Sequence, residues 1–229
     1  VYQFDRVQDH ARVIAHLSEP IPRQDLSDAP LLQSFIQSEM FFGLEQALEA
    51  QILNGDGVGE NLTGLAHTAG IQTVPLVGSG NDYDLIVTLR RAITRLDANG
   101  LEGTGWVLNP SDYEAIELLA TTDGALVLQG AGQTVPIDRA ARRLWGLPVV
   151  CSVSCPVGVA WLADWTGSTK LYVREDARLD WSENTFDPNA LGAGVGASDF
   201  ARNMIRFRAE GRFGFAVTRP SGVVRVALA

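Results

Sequence analysis

One row of apolar residues constrains this chain more than any other feature. Leu32, Ile36, Met40, Leu44, Leu48 and Ile52 recur at every fourth position, with Phe35 beside them. That spacing defines one face of a helix. Asp28 offers an N-cap, Pro30 suits the first turn and Asn54-Gly55 gives a C-terminal stop. The pattern predicts a helix of about 25 residues, roughly 37 Å long at 1.5 Å per residue. No helical partner stands close in sequence, so it reads as a spine for other elements.

Around the spine the signals are shorter. Arg12–Leu17 reads as a strand stopped by Pro20 and Pro22. Residues 54–80 read as a glycine-rich loop. Gly55, Gly57 and Gly59 follow a helix rather than a strand, and no Gly-Lys-Ser/Thr appears, so a phosphate loop is rejected. Asp56 and Glu60 lack the acidic spacing of a calcium loop. A second helix is expected from Asp82 to Ala98, then a strand Gly105–Leu108 and a third helix from Asp112 to Ala120, capped by Asn109. After a turn-rich stretch, Ile137–Leu144 reads as a short helix or ordered loop. Val149-Val150 and Val159–Ala163 read as strands. This alternation suggests a mixed α/β domain. The last third is strand-rich, with short strands at Leu171–Val173 and Leu179–Ser182, a glycine loop at Pro188–Ala197 and a strand pattern from Ile205 to Val217.

Composition then narrows function. A chain of 229 residues, 46% hydrophobic and 20% charged, is globular and long enough for one or two domains. No apolar run reaches the ~18 residues of a membrane-spanning helix. The net charge of -9 argues against broad electrostatic capture of nucleic acid. His10, His16 and His67 fall in no HExxH or HxH pattern, and no GxSxG elbow exists, so no catalytic, metal or cofactor residues are assigned. Cys151 and Cys155 read as reduced thiols on a strand, because four residues there span roughly 13 Å and a disulfide needs Cα atoms within about 7 Å. That points to a cytosolic folding environment. Ile205, Phe207 and Ala209 alternate with Arg206, Arg208 and Glu210, and Arg212 continues the polar side. The strip Arg206, Arg208, Glu210 and Arg212 is a solvated face or a subunit interface, where Arg is enriched and charge fixes register.

Several segments stand in an ordered series. ILNGDG (Ile52–Gly57) and NLTGLAHTAGI (Asn61–Ile71) follow the spine. NPSDYEAIELL (Asn109–Leu119), LWGLPVVCSVSCPVGVAWLADW (Leu144–Trp165) and LYVREDARLDWSE (Leu171–Glu183) come next, then FARNMIRFRAEGRFGFAVTRPSGVVRVAL (Phe200–Leu228). In order and spacing, from about Arg12 onward, the series resembles the tailed-phage major capsid protein family, with its Hong Kong 97 phage-type fold.

The resemblance implies an α+β shell protein rather than an enzyme. Residues 1–78 would hold a remnant of the extended loop plus the spine helix of a peripheral domain. Residues 79–173 would form a mixed α/β axial domain, 174–219 the peripheral strands and 220–229 a strand returning to the axial domain. The chain would self-assemble as a homo-oligomer, in hexamers and pentamers of an icosahedral shell around double-stranded DNA. Assembly would take place in the host bacterial cytoplasm, with scaffolding, protease and portal proteins as partners and the virion as destination. No membrane, cofactor or sequence-specific nucleic acid is implied. An acidic container would avoid gripping its contents.

The chain starts at what resembles the returning strand of the family's extended loop, without the N-terminal arm and most of that loop. It therefore reads as a cleaved or truncated fragment, or as the ordered part of a longer protein. Lys170, the only lysine, lies outside the loop from which some members cross-link. Three alternatives remain. An encapsulin-like nanocompartment shell keeps the fold. An RNA-binding module would use Gly211–Val217, whose aromatics superficially resemble an RNA-stacking strand. A hydrolase would pair Asp176 with Asp180.

Overall fold

A computed structural model describes residues 9–78, 83–119 and 142–229. Within these the chain divides into two units. The first takes the described residues up to Gln51, Val58–Leu62 and Leu171–Gly214. The second takes Ile52–Gly57, the described residues between Thr63 and Lys170, and Phe215–Ala229.

In the first unit, β1 (Arg12–Leu17) and β2 (Ile21–Pro22) lead into α1 (Arg23–Asp28) and α2 (Pro30–Asn54). The spine is present at 25 residues. Asp28 does not cap it. Pro22 starts α1, Asp25 suits that helix's first turn, and Ala29 N–H closes it onto Asp25 O. Ile36, Met40 and Leu44 are buried as the spacing requires, whereas Phe35 turns outward with Leu31 and Phe42. At 100° per residue these three fall within about 40° of one another, opposite the buried row. Gly43 permits a close approach to β1, since a Cβ there would lie 2.8 Å from the His16 ring.

The first unit's sheet is built on β11 (Met204–Val217). It pairs antiparallel with β1, from Arg12↔Phe213 to Leu17↔Arg208, and with β2 at Ile21↔Ile205, and β8 (Thr169–Ser182) also pairs with it. β8 is one 14-residue strand where the sequence suggested two short ones. The charged run Arg174-Glu175-Asp176 continues the strand, paired with β11, although its side chains are exposed there. A small antiparallel pair, β9 (Phe186–Asp187) with β10 (Ala197–Ser198), lies in the segment joining β8 to β11.

The second unit contains a six-stranded sheet in the order β3-β12-β7-β4-β6-β5. Its strands are β3 (Gln72–Val74), β4 (Gly105–Leu108), β5 (Arg143–Leu144), β6 (Leu147–Cys151), β7 (Val159–Ala163) and β12 (Val223–Ala227). β3 corrects the reading of 54–80 as loop alone. Three residues between Gly70 and Pro75 carry too little pattern, and the strand exists through parallel pairing with β12. Helices α3 (Asp84–Asp97) and α4 (Pro110–Glu117) supply the apolar cover. Leu89, Ala92 and Leu96 of α3 and Ile116 of α4 share one buried cluster with Trp106, Leu108, Leu162, Val224 and Val226. Asn109 caps α4 as expected, its side chain accepting from Ser111 N–H at 3.0 Å. Cys155 corrects another reading: it leaves the strand in a turn, buried, with its thiol donating to Val159 O at 3.3 Å. Both cysteines remain thiols. The third helix starts at Pro110 and ends at Glu117 with Leu118 as its C-cap, short of the expected Ala120, and Arg143-Leu144 form a strand rather than a short helix or loop. The turn-rich stretch and the rest of Ile137–Leu144 fall outside the described residues.

Candidate subunit interface

Alternation along β11 sorts its side chains. Ile205, Phe207, Ala209 and Phe213 are buried, while Arg206, Arg208, Glu210 and Arg212 share the other face. That face is not bare. Arg178 of β8 meets both Glu210 and Asp180, and Arg208 reaches Asp180 at 3.5 Å and Glu210 at 3.2 Å. Arg212 pairs with Glu175 at 3.0 Å. The β8 partners run 175, 178, 180 against 212, 210, 208, the order expected of antiparallel neighbours. Glu210 holds the exposed Arg178 guanidinium above its ordinary pKa, chiefly by hydrogen bonding, with Asp180 adding to the shift.

Arg206 belongs to a different arrangement. Its Nε donates to Asp199 at 2.7 Å and its Nη2 to Asp187 at 2.8 Å. Arg202 closes the cluster, donating to the other Asp199 oxygen at 2.6 Å. Asp199 is wholly buried. Hydrogen bonds to Asp199 and Asp187 raise the Arg206 pKa against an opposing burial effect. Asp187 is held below the usual carboxylate range by the Asn189 N–H, and further by Arg206. So Arg206 braces the 187–199 segment from within, whereas Arg208 and Arg212 stay partly open to solvent.

Sequence reasoning found the four strand residues but not Glu175, Arg178, Asp187 and Asp199. The alternation of charges along β8 was a usable signal for the first two. Asp187 ends the two-residue β9 and Asp199 follows the two-residue β10, on either side of a glycine-containing loop with no periodicity, so no local signal marks them.

The same geometry disposes of two alternatives. Phe213 and Phe215 are buried, so Gly211–Val217 offers no stacking platform for bases. Asp180 is engaged by Arg178 and Arg208, and Asp176 Oδ1 accepts from Ala177 N–H. At four residues along a strand the two carboxylates stand roughly 13 Å apart, beyond the separations of about 5–9.5 Å used in glycoside hydrolysis. Among the described residues no three His, Cys, Asp or Glu side chains cluster as a metal site, and no helix is long and apolar enough to cross a membrane.

A strand-rich unit that contains a long helix, and a second unit with a helix-covered mixed sheet, fit the Hong Kong 97-type capsid fold. Mycobacterium phage Adephagia provides a solved structure similar to this one at TM-score 0.69 and 18% identity, covering 95% of this chain and 71% of that one. The capsid of an empty GTA particle is similar at TM-score 0.65 and 18% identity, covering 96% and 72%. The chain belongs to the phage capsid family, whose model matches residues 2–228. It is 29% identical over 222 residues to the major capsid protein of Enterobacteria phage HK97. That match takes in 97% of this chain and 53% of the relative, so the chain spans about half the length of the curated relative.

Proposed function

We propose that this chain is the shell-forming part of a major capsid protein, assembling with copies of itself into the icosahedral shell of a tailed phage or prophage around double-stranded DNA. The observation that carries the reading is the family match from residue 2 to residue 228. The family match and the curated relative favour this role over an encapsulin-like compartment. The role is structural rather than enzymatic. The first unit corresponds to the peripheral domain and the second to the axial domain. Subunits gather as hexamers and pentamers in the host cytoplasm, with scaffolding, protease and portal proteins as partners.

In this reading the strip on β11 divides its labour. Arg206 and Glu210 hold the strand to its own surroundings. Arg208 and Arg212, with Arg178, present charge to neighbouring copies and set register. Electron microscopy of the gene's full product tests the proposal. Rings or closed shells are expected, and a strict monomer at all concentrations sinks it.

A further inference from the structure

The second unit also contains an open groove of about 320 Å³, bordered by α3, the turn after it and the β5–β6 hairpin. Trp145 and Gly146 form the tip of that hairpin, with φ of 51° and 80°. Two left-handed residues in succession make the tight turn that matches strand twist, and Asn, Asp or Gly are the residues that ease it. A tryptophan there is conformationally costly. Its side chain is 42% exposed and lines the groove with Asp97 and Glu102. Neither carboxylate has an ion-pair partner among the described residues. Arg90 also lines the groove, but its Nη1 donates to Thr94 Oγ1 at 3.0 Å. Ile93 and Leu147 add apolar wall.

An aromatic face beside unpaired carboxylates is suited to a guanidinium. The ring attracts the planar cation, and the carboxylates accept from its N–H edge. This chain is itself a rich source, since all but one of its 18 basic residues are arginine. The β5–β6 hairpin occupies one edge of the six-stranded sheet, and β12 stands next to the opposite edge. Arg225 on β12 is exposed and has no ion pair among the described residues.

We propose that the groove at Trp145, Asp97 and Glu102 receives Arg225 from a second copy of the chain. Arg225 stands one strand in from the far edge, so the contact joins two different surfaces and is head-to-tail, and repeated head-to-tail contacts form rings when the rotation between copies closes. The inference rests on the shell reading for the presence of assembled copies, and it adds the residues that join them.

The test uses the gene's full product, with assembly followed by sedimentation velocity and folding by thermal unfolding. The double variant Asp97→Asn/Glu102→Gln, and separately Arg225→Gln, are each expected to lower the assembled fraction about tenfold, as loss of a charge-assisted contact does. Their Tm should stay near that of the wild type. Trp145→Gly should weaken assembly while Tm holds or rises, because glycine relaxes the left-handed turn. Glu102→Arg combined with Arg225→Glu should recover what each loses alone. Wild-type assembly by the Asp97/Glu102 double variant or by Trp145→Gly, or a charge swap that recovers nothing, overturns the proposal. Should the wild type itself stay monomeric, the shell reading fails and the groove is judged by titration with N-acetyl-arginine amide. A shift of the Trp145 indole N–H resonance that the double variant abolishes supports the groove, and no shift overturns it.

Discussion

Trp106, Leu108, Leu162 and Val224 in the six-stranded sheet have no solvent exposure, whereas Leu171, Tyr172, Val173 and Trp181 of β8 are 47–61% exposed. The first group sits inside a closed cluster roofed by helices. The second stands on a strand whose partner, β11, meets it largely through ion pairs. One unit thus roofs its sheet with its own helices, although Leu118, Val153 and Val157 outside that cluster stand exposed. The other leaves apolar surface on β8, on α2 at Leu31, Phe35 and Phe42, and on the β8–β11 connection at Phe186, Leu191 and Phe200.

The strongest way to break this contrast is Leu162→Ala. The residue is wholly buried, and its Cδ1 fills the notch that Gly103 leaves open. A loss of about 3 kcal/mol or more is expected from urea unfolding followed by tryptophan fluorescence. The counterpart in the first unit is Asp199→Asn, which leaves Arg202 and Arg206 without their shared buried carboxylate. About 3 kcal/mol is expected, with hydrogen-exchange protection lost in residues 183–206 and kept in the six-stranded sheet. Uniform loss across both units would erase the distinction.

Acid should act on the two units with opposite sign. Asp187 in the first unit is held below the usual carboxylate range by the Asn189 N–H and Arg206. Its contribution is fully present above the unfolded value, about 3.9, and is lost as pH falls through the folded value. Asp112 in the second is raised by burial, against the opposing hydrogen bond from Gly158 N–H. It binds its proton more tightly when folded, so its unit loses stability as pH rises from about 3.9 through the folded value. Hydrogen exchange measured residue by residue between pH 3 and 6 should show protection rising with pH near Asn189 and falling near Gly158. The smallest effect is expected from Arg178→Ala. That side chain is 58% exposed, so only a slight loss of stability is expected, in low salt. The difference should shrink at 1 M salt, where the screening length falls to about 3 Å.

These contrasts also explain what could be read from the sequence. α2, α3, α4 and the strand Met204–Val217 each bury a periodic face, while Gly105–Leu108 and Val159–Ala163 are short apolar runs buried on both faces, and either pattern is a local signal. β8 buries little on either side, so its middle carried no strand pattern. β3 is three residues long, and its partner β12 lies far along the chain, with Gln72 Nε2 donating to Ser221 O across 149 positions. The charged strip was visible as alternating charge on β11. Its pairing with Asp187 and Asp199 depends on a loop returning in space. The groove at Trp145 was invisible for the same reason, since it gathers α3 with a hairpin about 50 residues later. Phe35 misled because a helix with two apolar stripes presents one row too many to a reader of spacing.

The position of β12 has a consequence for synthesis. It lies between β3 and β7, parallel to one and antiparallel to the other, yet it follows every other strand of that sheet along the chain. At roughly 5–20 residues per second on the ribosome, β3 waits on the order of ten seconds for its neighbour. During that interval its edge is unjoined and the six-stranded sheet is incomplete. A translation product interrupted before residue 223 lacks the strand that links β3 to the rest, so broken messages yield chains unable to complete this sheet.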